Sequence, residues 1–244
     1  MKISRFFLAG AFFCLTLSIH NPAFAASILE VNAASNIFAA GHSVPTAPGG
    51  GGGGMLPPEF NFAVASNQIL TFSSVTGLVS YNHGGNYWGP DGPILNWGTN
   101  LNSYDGISGI ILDNSINFLT GVFLDDTEPV NPAPSSLDFS PTRLTTSFNE
   151  LYPKLNQLFF IGDGLTGTGT GSIQQFHVPE NSTRLFLGFA DGYDFTGDHG
   201  YYADNIGSLT ATFSIESASV PEPASILLLL SGIVGLMNFK IERN

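Results

Sequence analysis

The chain has 244 residues, of which 43% are hydrophobic, and it carries 19 acidic side chains against seven Lys and Arg, a formal net charge of −12. Nucleic acid and anionic lipid are poor partners for so acidic a protein, whereas cations are favourable ones. The single cysteine, Cys14, excludes an intramolecular disulfide, and the length suits one domain with short terminal segments.

Residues 1–25 have the pattern of a secretory signal peptide. Lys2 and Arg5 precede a short apolar run, and small residues at its end place the cleavage between Ala25 and Ala26. An N-terminal membrane anchor is the alternative, but the apolar run is short for a membrane span. We therefore expect the chain to be exported through the inner membrane.

Residues 26–58 are dominated by Ala, Ser, Asn, Gly and Pro, and they contain six consecutive glycines in PTAPGGGGGGMLPP. Such a composition buries little apolar surface to offset the entropy lost on ordering, so we predict a flexible spacer. A phosphate-binding loop is the alternative. It is disfavoured because no Lys follows the glycines and the run does not lie between a strand and a helix.

Residues 59–218 are predicted to form a single all-β domain, because short β-branched and aromatic runs recur between turn residues. These runs predict strands at 68–74, 77–81, 106–112, 118–124, 157–162, 172–178, 184–189 and 208–215. Only residues 146–157 suggest a helical turn. Many short strands with almost no helix favour a jelly-roll-like antiparallel β-sandwich.

Acidic residues are concentrated just before the last predicted strand. Asp191 ends one strand, and the hairpin that follows should return the chain so that Asp204 and Asn205 lie close to it. Two carboxylates so placed repel each other unless a cation lies between them. Ca²⁺ binds about six to eight oxygen ligands at flexible geometry, so we predict a calcium site here, with a solvated acidic turn as the alternative.

No group of residues has the pattern of a catalytic centre, and we expect the protein not to be an enzyme. FFIGDGL (159–165) is superficially similar to the active-site block of GDSL esterases, but Gly164 stands where the nucleophilic serine belongs. Asp125, Asp126 and Glu128 could form a glycosidase carboxylate pair. Adjacent residues on a strand point to opposite faces, so a solvated strand end is the better interpretation.

Three segments resemble, in the same order, the calcium-dependent galactophilic lectins of bacteria. VPENSTRLFLGFADGYDFTGDHGYYADNIGSLTATFSI (178–215) is similar to the C-terminal half of that family, VTGLVSYNHGGNYWGPDG (75–92) to its Tyr–loop–Trp–Gly–Pro segment, and IGDG (161–164) lies between them. The family has a small β-sandwich in which hydroxyl groups of the sugar bind calcium directly. The resemblance therefore implies carbohydrate binding.

The resemblance also implies a set of calcium ligands. Tyr81 and Tyr201 would supply carbonyl oxygens, and Asp191, Asp204 and Asn205 would supply side-chain oxygens, with Asp204 replacing an Asn of the family. The loop from Asp191 to Asp204 is longer than the family pattern.

Sugar contacts are predicted at Trp88, Tyr193 and Asn205, and Phe195 is expected to face the sugar beside Tyr193. The family's His-Pro-x-Gln sugar-contacting segment should follow Gly92 and is missing there. The metal site is therefore better supported than galactose as the sugar.

Residues 219–244 resemble a PEP-CTERM sorting signal. Its motif is Val220, Pro221, Glu222 and Pro223. The uncharged residues 224–239 follow, somewhat fewer than the roughly 20 of a typical membrane helix. Lys240 and Arg243 come last, as on the cytoplasmic side of a membrane. A buried core helix is the alternative. The resemblance implies recognition by an exosortase, a membrane protease of exopolysaccharide-producing Gram-negative bacteria, and transient anchoring by a transmembrane helix.

These patterns together indicate a secreted or surface-tethered, calcium-dependent carbohydrate-binding protein at the cell surface or in the extracellular matrix. Its partner would be an extracellular polysaccharide or other glycan. The alternative is a structural surface protein in which calcium serves only stability and no sugar binds.

We expect two processing events in the native host. The intact mass of the mature protein should show loss of residues 1–25 and a second cut within 220–224, because the signal-peptide and sorting patterns end there. A mature form that retains both ends would contradict this expectation.

Overall fold

The computed structural model describes residues 26–217, and this part of the chain is built almost entirely of β-strands. The strands β1 to β15 are Ser27–Asn32, Glu59–Asn61, Gln68–Ser80, Thr99–Leu101, Ile110–Leu112, Leu119–Leu124, Leu137–Asp138, Glu150–Leu151, Phe159–Phe160, Leu165–Gly167, Thr170–Ile173, Gln175–His177, Arg184–Phe189, Thr196–Gly197 and Ile206–Ser217. Three short 3₁₀ turns are Ile37–Ala39, Tyr193–Phe195 and Tyr202–Asp204. The predicted all-β fold is confirmed.

The predicted terminal signals fall outside the described residues. The predicted signal peptide comprises residues 1–25, of whose predicted cleavage site only Ala26 is described, and the predicted sorting motif lies at residues 220–223. Within residues 26–217, none of the helical segments has the length and apolar character needed to cross a membrane.

The strands form four sheets. Two of them supply most of the core, with strand orders β1-β15-β3-β12-β8 and β2-β13-β6-β9. A third sheet has the order β14-β4-β5-β7, and β10 and β11 form a separate hairpin. The predicted helical turn within 146–157 is wrong, because Glu150–Leu151 forms β8 and pairs in parallel with β12.

Strands β3 and β15 form a long antiparallel ribbon. The two strands predicted at 68–74 and 77–81 are one continuous strand, since β3 pairs with β15 from Gln68 to Ser80. Gly77, which has the sequence character of a break, lies inside this strand at φ +120°, where a Cβ would overlap the Ser208 carbonyl. The glycine therefore allows a close approach of two backbones rather than ending the strand.

The buried faces of the two large sheets share one hydrophobic core. Phe60 of β2 packs edge-on against Phe213 of β15 with ring centroids 5.1 Å apart, and Phe159 of β9 lies 5.2 Å from Phe176 of β12. Burial of each such ring contributes about 1.5–3 kcal/mol. The alternation predicted for the last strand is confirmed, because its apolar residues face this core.

The predicted flexible spacer at 26–58 is wrong, because this segment is part of the domain. Strand β1 pairs with β15 along its whole length, and Val31, Ile37 and Phe38 are buried in the core or against it. The average composition of the segment concealed a short apolar stretch, VNAASNIFAA. That stretch supplies enough buried surface to order its neighbours.

The six glycines, Gly49–Gly54, form what we term the glycine clasp, which holds residues 198–203 by main-chain hydrogen bonds. The amide of Gly49 donates to the His199 carbonyl at 2.9 Å, and the amide of Tyr201 donates to the Gly50 carbonyl at 2.8 Å. A Cβ on Gly51 would lie 2.6 Å from the Tyr201 ring. The glycines are needed because any side chain would keep the two backbones apart.

We expect Gly51→Ala to destabilise the protein by about 2 kcal/mol more than Gly169→Ala. Both glycines have positive φ, +64° and +68°, so the backbone strain is matched, but only a Cβ at Gly51 meets neighbouring atoms. Denaturant unfolding of both variants measures the difference. Equal destabilisation would show that the clasp does not depend on close approach.

Candidate functional site

The candidate site lies at the ends of a loop, residues 191–205, that joins β13 to β15. Asp191 is the second residue after the end of β13, and Asn205 immediately precedes β15. The side-chain amide of Asn205 donates to Asp191 Oδ2 at 2.8 Å. The return of the chain to Asp191, predicted from the sequence, is therefore confirmed.

Asp191 is a buried carboxylate, with 2% of its surface exposed. Its Oδ1 accepts a hydrogen bond from the Gly192 amide at 2.7 Å, and its Oδ2 is held by Asn205. Burial raises the pKa of Asp191 well above its ordinary value, and the nearby charge of Asp204 raises it further, while these two hydrogen bonds lower it. An ionised Asp191 is thus costly unless a cation lies beside it.

Two buried oxygens next to this carboxylate have no hydrogen-bond partner. They are Oδ1 of Asp204 and Oδ1 of Asn205. Asn205 is 8% exposed, and its amide nitrogen is already used by Asp191 and by the Ala33 carbonyl at 3.2 Å. A buried acceptor without a donor costs about 1–3 kcal/mol, and these oxygens are suited to a bound cation.

The two tyrosines predicted to supply carbonyl oxygens lie in the same group of loops. Tyr201 has left-handed φ of 64° and precedes the turn that ends at Asp204. Tyr81 follows β3, and two residues later the His83 amide donates to the Asp204 carbonyl at 2.8 Å. The structure thus brings the segments of all the predicted ligands together.

No group of three or more His, Cys, Asp or Glu side chains suited to a metal occurs within residues 26–217. A metal at Asp191 and Asp204 would therefore depend on amide and main-chain oxygens as well. Calcium accepts such ligands, whereas zinc is bound mainly by thiolate, imidazole and carboxylate groups. The donor set fits calcium.

The residues predicted to contact a sugar have different environments. Tyr193 is 62% exposed, and its ring lies 5.4 Å from that of Tyr201. Phe195 is 3% exposed and packs between Tyr81 and Trp97, so the expectation that it faces a sugar is wrong. Trp88 is half-buried, with a bridge to Val79, and no aromatic contact joins it to the loop within the described range.

Sequence reasoning missed Trp97 and the groove beside it. Trp97 is 41% exposed, and its ring lies 6.1 Å from that of Phe195. It borders a groove of about 700 Å³ that also includes Asp113 and Asp194. The sequence NWGTN contains a second Trp-Gly pair, which could have indicated a second aromatic site. Trp97 is far from Phe195 along the chain, so their contact could not be predicted from the local sequence.

A second pair of carboxylates lies where the segments 75–92 and 161–164 meet. The Asp163 amide, in the IGDG segment, donates to Asp91 Oδ1 at 3.0 Å, and Gly162 packs against the same oxygen. Burial, and secondarily the charge of Asp163, raises the pKa of Asp91 to about 6. This carboxyl therefore titrates close to neutral pH.

No family model, no curated protein and no solved structure matches this chain. Its function is therefore inferred from its own residues.

In the presence of a chelator, we expect the contribution of Asp91 and Asp191 to the free energy of unfolding to fall as the pH rises from about 4 to about 7, while the buried His199, whose pKa is lowered to about 4, contributes in the opposite direction. Asp91 and Asp191 have raised pKa values in the folded state, so their contribution to stability is present below the pKa of the unfolded chain and is lost as the pH passes the folded value. After allowance for solvent screening, the Asp91 part amounts to about 1–2 kcal/mol.

Denaturant unfolding across this pH range measures the effect. Asp91→Asn should remove the part of the slope between pH 4 and about 6, whereas Glu180→Gln, at an exposed carboxylate, should leave the slope unchanged. A pH profile of Asp91→Asn that runs parallel to the wild-type profile would contradict the burial argument.

Proposed function

We propose that residues 26–217 form a calcium-dependent carbohydrate-binding domain with a lectin-like, jelly-roll-like β-sandwich. The observation that carries the proposal is the pair of unpartnered buried oxygens of Asp204 and Asn205 beside the buried carboxylate of Asp191. Asp191, Asp204 and Asn205 would hold Ca²⁺ through their side chains, and Tyr81 and Tyr201 through their carbonyls.

The charge balance of the domain favours an external cation. Residues 26–217 carry 17 acidic side chains and only three fixed positive ones. Arg184 donates to the carbonyls of Asp125 and Thr127, and Arg143 lies 3.8 Å from Asp138. Within the described residues, no Lys or Arg forms an ion pair with Asp191 or Asp204, and the cationic group nearest to Asp204 is the exposed imidazole of His83, 3.9 Å from its Oδ2.

Sugar binding on the calcium is supported by the aromatic surroundings. Calcium-bound water exchanges readily for vicinal hydroxyls, since the ion accepts oxygen ligands at flexible geometry. Tyr193 offers an exposed ring on the same loop as the metal ligands, and Asn205 and Trp88 would complete the contacts. Few groups become buried, so we expect dissociation constants of about 0.1–1 mM for a single site.

The terminal signals place this domain in a proposed cellular setting. The protein would be exported, anchored transiently through its C-terminal segment and processed by an exosortase at the Val220–Pro223 motif. At the cell surface or in the extracellular matrix, many copies would bind a polysaccharide together. Multivalent display would raise the effective affinity although each site is weak.

We expect calcium to stabilise the full-length chain, because a ligand that binds only the folded state adds about 2.7 kcal/mol at a hundredfold excess over its dissociation constant. Thermal unfolding in calcium and in EDTA measures the shift in melting temperature. Asp204→Ala and Asn205→Ala should remove most of it, while the matched variant Asp138→Ala should keep it. A wild-type melting temperature unaffected by EDTA would reduce the site to a solvated turn.

The same preparations then test sugar binding. Calorimetry with neutral monosaccharides should detect binding in calcium that is lost in EDTA and in Asn205→Ala, and weakened in Tyr193→Ala. Stabilisation by calcium without binding of any sugar would support the structural alternative. A sugar bound equally well in EDTA would show that calcium is not its receptor.

A further inference from the structure

The Trp97 groove is defined by Trp97, Asn100, Asp113 and Asp194, and its Trp97 ring contacts the same Phe195 ring that Tyr81 contacts. It has a volume of about 700 Å³, enough for about two sugar rings or a comparable ligand. None of the predicted calcium ligands lines this groove. The two sites therefore share one loop but have different lining residues.

The walls of the groove are held by strand pairing. Thr196 of β14 pairs with Asn100 of β4, and Thr99 of β4 pairs with Leu112 of β5. Gly98, next to Trp97, allows the chain to approach the end of β5 closely, because a Cβ on Gly98 would overlap the carbonyls of Leu112 and Asp113. The indole and the Asp113 carboxylate are thus positioned by the backbone of one sheet.

The loop that carries Asp194 is also fixed by its backbone. Asp194 and Phe195 both have left-handed φ, at 47° and 53°, and the buried Phe195 ring anchors them against Trp97 and Tyr81. Asp194 consequently faces the groove from a different segment than Asp113 does.

The chemistry of the lining selects the ligand. Neither Asp113 nor Asp194 forms an ion pair or a side-chain hydrogen bond within the described residues, and none of the residues that line the groove is basic. The Trp97 face attracts cations and stacks on the apolar face of a sugar ring. A protonated amine offers three donors to the two carboxylates, whereas a bare metal ion gains little from the indole.

We propose that the Trp97 groove binds a sugar unit bearing a free, protonated amine, as in a de-acetylated amino-sugar polymer. This inference rests on the proposed carbohydrate-binding function and assigns a substrate class to it. Calcium would take the hydroxyls of one unit at Asp191 and Asp204, and the groove would take a neighbouring amino-sugar unit of the same polymer. An acidic protein surface strengthens such an association through electrostatic attraction.

Calorimetry on the full-length chain tests the inference with two probes, the hexamer of glucosamine and the hexamer of N-acetylglucosamine. At about pH 5.5 the amines of the glucosamine hexamer are mostly protonated, and acetylation removes their charge. We expect the glucosamine hexamer to bind about tenfold more tightly, and its affinity to fall with added salt. Equal affinity for the two hexamers would overturn the proposal.

Variants locate the binding. Asp113→Asn and Asp194→Asn should each lower affinity for the glucosamine hexamer about threefold and together about tenfold, and Trp97→Ala should lower it about tenfold. Tyr87→Ala, at another exposed aromatic, and Glu216→Gln, at another exposed carboxylate, should bind like the wild type. Should Trp97→Ala not fold, the two isosteric Asp→Asn variants still decide the question.

Calcium-dependent melting separates this inference from the proposed function. The groove variants should keep the full calcium shift, and the wild type should keep its preference for the free amine in EDTA, because none of the groove residues is a predicted calcium ligand. If calcium does not raise the melting temperature of the wild type but the glucosamine hexamer still binds more tightly than the acetylated one, only the calcium site is refuted. An intact calcium shift with unchanged binding in Asp113→Asn and Asp194→Asn would refute only the groove.

Discussion

The hydrogen bond between Asn205 and the buried carboxylate of Asp191 ties together the two ends of the loop 191–205. This bond closes the loop where β13 ends and β15 begins, and so fixes the positions of the two ends relative to each other. Asp204 is held beside Asp191, where their charges oppose each other. The Asn205 amide also reaches the Ala33 carbonyl, so the loop is joined to the N-terminal segment as well. The hydrogen bond from Asn205 thus keeps the Asp191 and Asp204 carboxylates close together although their charges repel.

The glycine clasp supports the same loop from outside. Its bonds to residues 198–203 are made between main chains, so they do not depend on which side chains the loop carries. Behind it, His199 is stacked on Phe38 at 4.5 Å, and burial lowers the pKa of His199 to about 4, so that the ring is neutral and belongs to the core. The loop thus combines a rigid inner half, held by glycine and aromatic contacts, with the outer residues Tyr193 and Asp194, which remain exposed.

The sequence allowed the central strands β3, β6, β13 and β15 to be predicted from their local alternation and apolar runs, and the meeting of Asp191 with Asn205 from a single hairpin-like return. Strands β1, β2 and β8 were not predicted. The role of Gly49–Gly54 could not be predicted from composition. Six glycines have the same composition in a flexible linker as in a tight main-chain contact, and only the partner at 198–203 distinguishes the two. Trp97 was missed for a related reason: its neighbour Phe195 is distant along the chain, and nothing in the local pattern reports that contact.

The pairing of β1 with β15 joins the first and last strands of the described chain. The central ribbon, β3 with β15, is equally non-local, since its two strands are separated by most of the domain. Such pairing requires a long loop to close, which costs entropy before the stabilising contacts form. Folding is therefore slower when contacting residues are far apart in the sequence. During synthesis, residues 26–205 can therefore form only partial structure until the last strand is available to pair on both of its edges. The architecture thus delays folding until the last strand has been synthesised.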